Sequence, residues 1–106
     1  MEINDIVMHD LPVESIILNF GLKVVRLCCA VYSDEEDCYK PKEFIFTEVK
    51  KLNVESMILL NLEHIEIYSA ENISLPDSNK MILTFLAGFG QPTFNLDFEY
   101  KEFRVQ

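Results

Sequence analysis

The stretch Thr93-Phe94-Asn95-Leu96-Asp97-Phe98-Glu99-Tyr100-Lys101-Glu102-Phe103-Arg104-Val105 decides the fold. Side chains along a strand point to alternate faces. Phe94, Leu96, Phe98 and Tyr100 therefore share one face, and Asn95, Asp97, Glu99 and Lys101 share the other. After Tyr100 the apolar set moves to Phe103 and Val105, one residue out of phase. A slip of one residue exchanges the faces of a strand, so the sequence predicts a β-bulge or sharp bend near Lys101-Glu102.

Working back from this strand, Gly88-Phe89-Gly90-Gln91-Pro92 reads as a turn and Met81–Ala87 as a strand. Leu75-Pro76-Asp77-Ser78-Asn79 reads as a loop, and Glu63–Ser69 as a strand with Ile65 and Ile67 inward and His64, Glu66 and Tyr68 outward. Between Asn53 and Leu62, the spacing of Val54, Met57, Ile58, Asn61, Leu62 and Ile65 is helical, and Asn53 is a suitable cap. A short helix is expected there, against the alternative of a continuous buried strand through Met57–Leu60.

The first half of the chain reads as a meander. A polar lead-in ends at Pro12, and Val13–Phe20 alternates, with Ile16, Leu18 and Phe20 on one face and Ile17 among the polar residues of the other. Asn19-Phe20-Gly21 supplies a turn into a second strand, Lys23–Tyr32. Ser33–Pro41 contains Asp34-Glu35-Glu36-Asp37, carboxylates that a core face would not accept in sequence, and is expected to be an exposed loop. Lys42–Val49 closes the meander. The expected fold is thus mainly β, or α+β if the short helix near 53–62 forms. It is an antiparallel sandwich or meander of about six strands, in a single domain over 1–106.

Val24–Val31 and Met81–Leu86 are apolar on both faces, Arg26 and Thr84 excepted. A sheet with one side in water does not need that. Intramolecular cover is one explanation and a second subunit is the other.

The 106 residues fit one domain, and a hydrophobic content of 49% fills its core without staples. Eighteen acidic residues against nine basic ones give a net charge of −9. That field repels phosphate backbones and anionic lipid, so nucleic acid and membrane surfaces are disfavoured as partners and a basic protein is favoured. Residues 1–5, Met-Glu-Ile-Asn-Asp, lack the basic start and apolar run of a signal peptide. No apolar stretch approaches the ~18 residues of a membrane span. With three cysteines, an odd number, the chain reads as a soluble protein of the reducing cytoplasm.

Few residues invite a chemical role. Cys28 and Cys29 are neighbours, point to opposite faces and lack a C-x-x-C spacing, so they read as small apolar residues. Cys38 lies beside the acidic run, where it is expected to be a slow nucleophile. That run lacks the alternating ligands and central glycine of a calcium-binding loop. His9-Asp10 with His64 is the only constellation pointing to a metal-dependent enzyme, and no ligand spacing supports it. A turn or cap leading into the first strand is the simpler role for His9-Asp10. Gly88-Phe89-Gly90 lacks the Lys and helix of a phosphate loop, and no serine has a nucleophile-elbow context. No catalytic residue, metal ligand or cofactor is assigned.

The order of elements resembles small bacterial domains among the immunity proteins of polymorphic toxin systems. It rests on His9-Asp10 followed by Val13–Leu18, on Lys23–Tyr32, on Glu43–Val49, on Leu62–Ile67 and on the aromatic alternation Phe94–Tyr100. The resemblance implies a non-enzymatic protein that binds and blocks a toxin, and it carries over no particular binding residue. The expected function is therefore protein binding through an acidic surface. Asp34, Glu35, Glu36 and Asp37 steer a basic partner, and Tyr32 and Tyr39 flank the loop as aromatic anchors. The alternatives are a homodimer whose twin covers the two-faced strands, and a small metal-dependent enzyme using His9, Asp10 and His64.

Overall fold

The computed structural model describes Met8 and residues 11–54, 65–87 and 93–106. Among these, the strands are β1 (Val13–Asn19), β2 (Val24–Ser33), β3 (Cys38–Thr47), β4 (Lys50–Val54), β5 (Ile65–Ser74), β6 (Asn79–Ala87), β7 (Thr93–Tyr100) and β8 (Glu102–Val105). They form two four-stranded sheets, ordered β1-β2-β3-β8 and β4-β7-β6-β5. All neighbours are antiparallel. The mainly β expectation holds, with eight strands in place of about six. Asn53 and Val54, expected to open a helix, belong to β4; the rest of that stretch, 55–62, lies outside the described residues, as does the turn 88–92.

The phase change at Lys101 marks a transfer between sheets. β7 pairs with β4 and β6, whereas β8 pairs with β3 in the other sheet. Phe94, Leu96, Phe98 and Tyr100 are buried, and Phe103 and Val105 pack on the same core after the break. Lys101 and Glu102 both face outward at the corner, and this extra outward residue is the one-residue slip, which keeps the apolar side on the core as the strand turns into the other layer.

The neighbouring chain segment makes the same passage between Thr47 and Lys50. The two corners are stitched together: Thr47 stands opposite Glu102, Lys50 opposite Glu99, and the Lys101 N–H donates to the Thr47 carbonyl at 3.1 Å. β3–β4 and β7–β8 are therefore one two-stranded ribbon folded over from sheet to sheet, the corner geometry that bulges and bends allow. Glu48 (φ 52°) and Lys51 (φ 54°) take left-handed backbone there. Across the molecule, Pro12 bridges Glu66, linking β1's sheet to β5's, with the Ile67 N–H on the Leu11 carbonyl at 3.0 Å. The sheets are thus tied on both sides.

Between them lies an aromatic core. Phe46 of β3 is its hub, with ring centroids 5.0 Å from each of Phe98, Tyr100 and Phe103. Phe85 stacks on Phe94 at 4.9 Å. The hydroxyl of the buried Tyr100 donates to Oδ1 of the half-buried Asn72 of β5 at 2.5 Å. No polar or charged residue is fully buried among the described residues.

Each sheet covers the inner face of the other, which accounts for Val25, Leu27 and Cys29 of β2 and Met81, Leu83 and Phe85 of β6. Their outer neighbours Val24, Cys28, Ala30, Ile82, Thr84 and Leu86 are half-buried.

One expectation fails at the first turn. Phe20 does not join Ile16 and Leu18 on the core; it is 75% exposed. The strand stops at Asn19, whose Oδ1 accepts the Leu22 N–H at 3.0 Å, and this side-chain turn lifts Phe20 off the sheet.

Phe46→Ala should destabilise the fold by about 3–5 kcal/mol in urea unfolding, as deletion of a buried aromatic does. Phe20→Ser, at an exposed turn position, should change it by less than about 0.5 kcal/mol.

Candidate partner-binding surface

β2 and β3 pair without interruption from Val25↔Phe46 to Ser33↔Cys38. The buried layer does not follow them that far. On the inward side, full burial ends at Cys29 of β2 and Phe44 of β3, and beyond these stand Val31, Lys42 and Lys40. The outer part of the hairpin therefore projects past the core. The pairing also shortens the loop expected over Ser33–Pro41 to Asp34–Asp37, because Cys38–Pro41 are strand. Asp37 closes this loop with φ 53°, a left-handed position that aspartate tolerates better than most residues.

All six residues singled out in the sequence meet on this projection. Asp34, Glu35, Glu36 and Asp37 are exposed. Tyr32 and Tyr39 face each other across the strands on the outer side, ring centroids 5.4 Å apart and edge to face. They are 45% and 63% exposed, so much apolar ring area stands in water with little freedom left to lose.

The four carboxylates are not equivalent. Asp37 accepts a hydrogen bond from the Tyr32 hydroxyl, which holds the phenol above its usual range. Glu36 pairs with Lys40, an internal neutralisation that the sequence alone does not reveal. Asp34 and Glu35 have no ion pair among the described residues and are the carboxylates available to a partner.

The other candidates separate from this tip. Cys29 is fully buried, and burial pushes its thiol from 9.0 up to about 12. Cys28 is half-buried; desolvation first, then its contact to Glu14 at 3.6 Å, raises its thiol as well. Cys38 is exposed at the base of the acidic loop. Among the described residues no cluster of His, Cys, Asp and Glu gathers as a metal ion would need, and no helix is long and apolar enough to cross a membrane. His9, Asp10 and His64 lie outside the described residues.

A second surface is not foreseen by the sequence. Phe20, Leu22, Lys23, Lys50, Lys51 and Lys101 come together at the end of β2 opposite the acidic loop. They are scattered along the chain, and only the topology unites them. The one local signal is a pair of large apolar residues, Phe20 and Leu22, in a turn that water should favour filling with polar ones.

At pH 8 a thiol reagent such as Ellman's should titrate Cys38 ahead of the other two in the native protein, and all three cysteines after denaturation. The raised Cys29 thiol carries a sign for stability. Above pH 9 the unfolded chain releases a proton that the folded one keeps, so stability declines as pH rises from 9.0 toward about 12. A Cys29→Ala variant should show a flatter alkaline decline in urea unfolding.

Compared with known proteins, the chain matches no family model and no curated protein sequence.

Proposed function

We propose that the chain is a non-catalytic protein-binding module of the cytoplasm, an immunity-type inhibitor whose β2–β3 hairpin tip docks a basic protein and occludes its working site. The observation that carries this reading is the tip itself, where two exposed, mutually packed tyrosines and four carboxylates stand on a hairpin that outruns the core. Each part has a separate physical task. Carboxylates at a projecting point attract a basic partner over about a Debye length, which raises the encounter rate more than the final affinity. The tyrosines supply rigid area that loses water on contact, which lowers the dissociation rate.

The rest of the molecule suits such a task. A tip that must present a fixed shape is held by unbroken strand pairing to a sheet whose far end is buried. Two of the three thiols, Cys28 and Cys29, are raised by burial and are poor nucleophiles. The resemblance of the order of elements along the sequence to immunity domains supports the inhibitory form of the reading.

Against the basic partner recovered by pull-down from the native host, replacing Asp34, Glu35, Glu36 and Asp37 by Asn and Gln should lower the association rate roughly ten-fold or more and flatten its salt dependence. Tyr39→Ala should act mainly on the dissociation rate. Association kinetics that are unchanged by the four neutralisations would sink the proposal.

A further inference from the structure

At the opposite end of β2 the chain builds a surface of the contrary character. Phe20 and Leu22 of the β1–β2 turn are 75% and 72% exposed, more than any other large apolar side chain described. Lys23 follows them with φ 57°. The β3–β4 corner is fixed against this turn, the Val49 N–H donating to the Lys23 carbonyl at 2.9 Å, and it brings in Lys50 and Lys51. Lys101 arrives with the β7–β8 corner, its N–H on Thr47. Four of the seven lysines in the sequence thus stand around two exposed apolar side chains.

Two grooves open between them. One runs from Phe20 to Leu52, and the other, of about 260 Å³, lies between Leu22 and Lys101. Glu48 is the carboxylate lining the second, and Lys51 is engaged by Glu99 at 3.2 Å. Lys23, Lys50 and Lys101 have no ion pair among the described residues. Three of the four described non-glycine residues with positive φ, Lys23, Glu48 and Lys51, fall in this small region. Such backbone is costly and persists where the surroundings enforce it, often at sites of contact.

We infer that this lysine-rimmed apolar end docks the acidic hairpin tip of a second copy of the chain, joining copies head to tail. The complementarity is in both terms. Asp34 and Glu35, carboxylates without an ion pair among the described residues, meet the lysines without one, Lys23, Lys50 and Lys101, and the exposed Tyr32 and Tyr39 meet Phe20 and Leu22. The net charge of −9 opposes association, but its reach is short at physiological salt. The molecule extends 37 Å along its longest axes, several times the ~8 Å Debye length, so most of the like charge is screened while the touching ends are not. The contact is heterologous, so an open assembly keeps one free tip and one free lysine end, and dimers grow into longer chains or close into rings. It differs from a twin packed on the two-faced strands, since it uses the ends of the sandwich and not its faces. The tip is shared with the docking of a basic protein, but the lysine end is not. Changes at the lysine end therefore test self-association alone.

Sedimentation velocity over a concentration series reaching about 1 mM, the range of weak contacts, tests the inference. The mean mass is expected to rise with concentration at about 0.15 M salt and to return to monomer at about 1 M. Lys50→Glu with Lys101→Glu, and separately Asp34→Lys with Glu35→Lys, should each weaken association at least ten-fold, roughly the loss of one close charge pair. Mixing the two variants should restore association, because the intact tip of one meets the intact lysine end of the other. Phe20→Ser with Leu22→Ser, which alters no charge, should weaken it as well. A monomer under all conditions, association that survives both reversals, or a mixture that stays monomeric would each overturn the inference.

Discussion

Phe46 is the side chain on which the rest of the structure depends. It touches Phe98 and Tyr100 from the opposite sheet and Phe103 from the neighbouring strand of its own. Those three rings belong to one continuous segment that changes sheets between Tyr100 and Glu102. Phe46 therefore packs against the segment on both sides of its bend. The hub couples the bend to the packing of the core: if the ribbon ran straight, Phe103 would leave the cluster and Phe46 would lose the ring that β8 brings to it. The hydrogen bond from Lys101 to Thr47 fixes the same corner from the backbone side. Aromatic packing and backbone pairing thus select one geometry, the local and global agreement expected of a sequence that specifies a single fold.

The candidate surfaces follow from that frame. With the folded ribbon at one end of β2 and β3, the buried layer is anchored there, and the hairpin continues past it at the other end. Among the described residues, side chains at the far end have no opposing layer to meet. Polar and aromatic residues at such positions cost little in the folded state and remain available for contact. The Tyr32–Tyr39 pair and the acidic loop occupy those positions. At the near end, three segments must converge to make the corner, and their side chains converge with them. The lysine-rimmed surface is thus a by-product of how the sheets are joined.

Alternation makes much of this legible in the sequence. The period of two in Phe94–Tyr100 is a local property, and so is the run Asp34–Asp37, so both can be placed without knowing the topology. The slip after Tyr100 falls at the residues expected of it, but a bulge within one sheet and a transfer to another produce the same slip. Only the partner of β8 distinguishes them. β4 is hard to see because the bulge between Lys50 and Asn53, with Lys51 at positive φ, breaks its alternation. Of what remains, Val54 falls at helical spacing with Met57, Ile58, Asn61, Leu62 and Ile65. Alternation assigns Phe20 to the core only if the strand continues, whereas Asn19 ends it. The lysine end leaves almost no trace, since positions 23, 50, 51 and 101 share nothing until the ribbon folds.

The separation of the two surfaces has a physical consequence of its own. β2 is 10 residues long, which at about 3.3 Å per residue sets the acidic loop and the first turn roughly 30 Å apart. That distance is several Debye lengths at physiological salt. Charges at one end therefore scarcely alter the potential at the other, despite a net charge that suggests a uniformly negative body. A basic protein approaching the tip senses the tip, and an acidic group approaching the turn senses lysines. The strand that holds the core together is also the spacer that keeps opposite charges from neutralising each other within one molecule. Length in β2 does for the surfaces what Phe46 does for the core: it sets the geometry within which each can act.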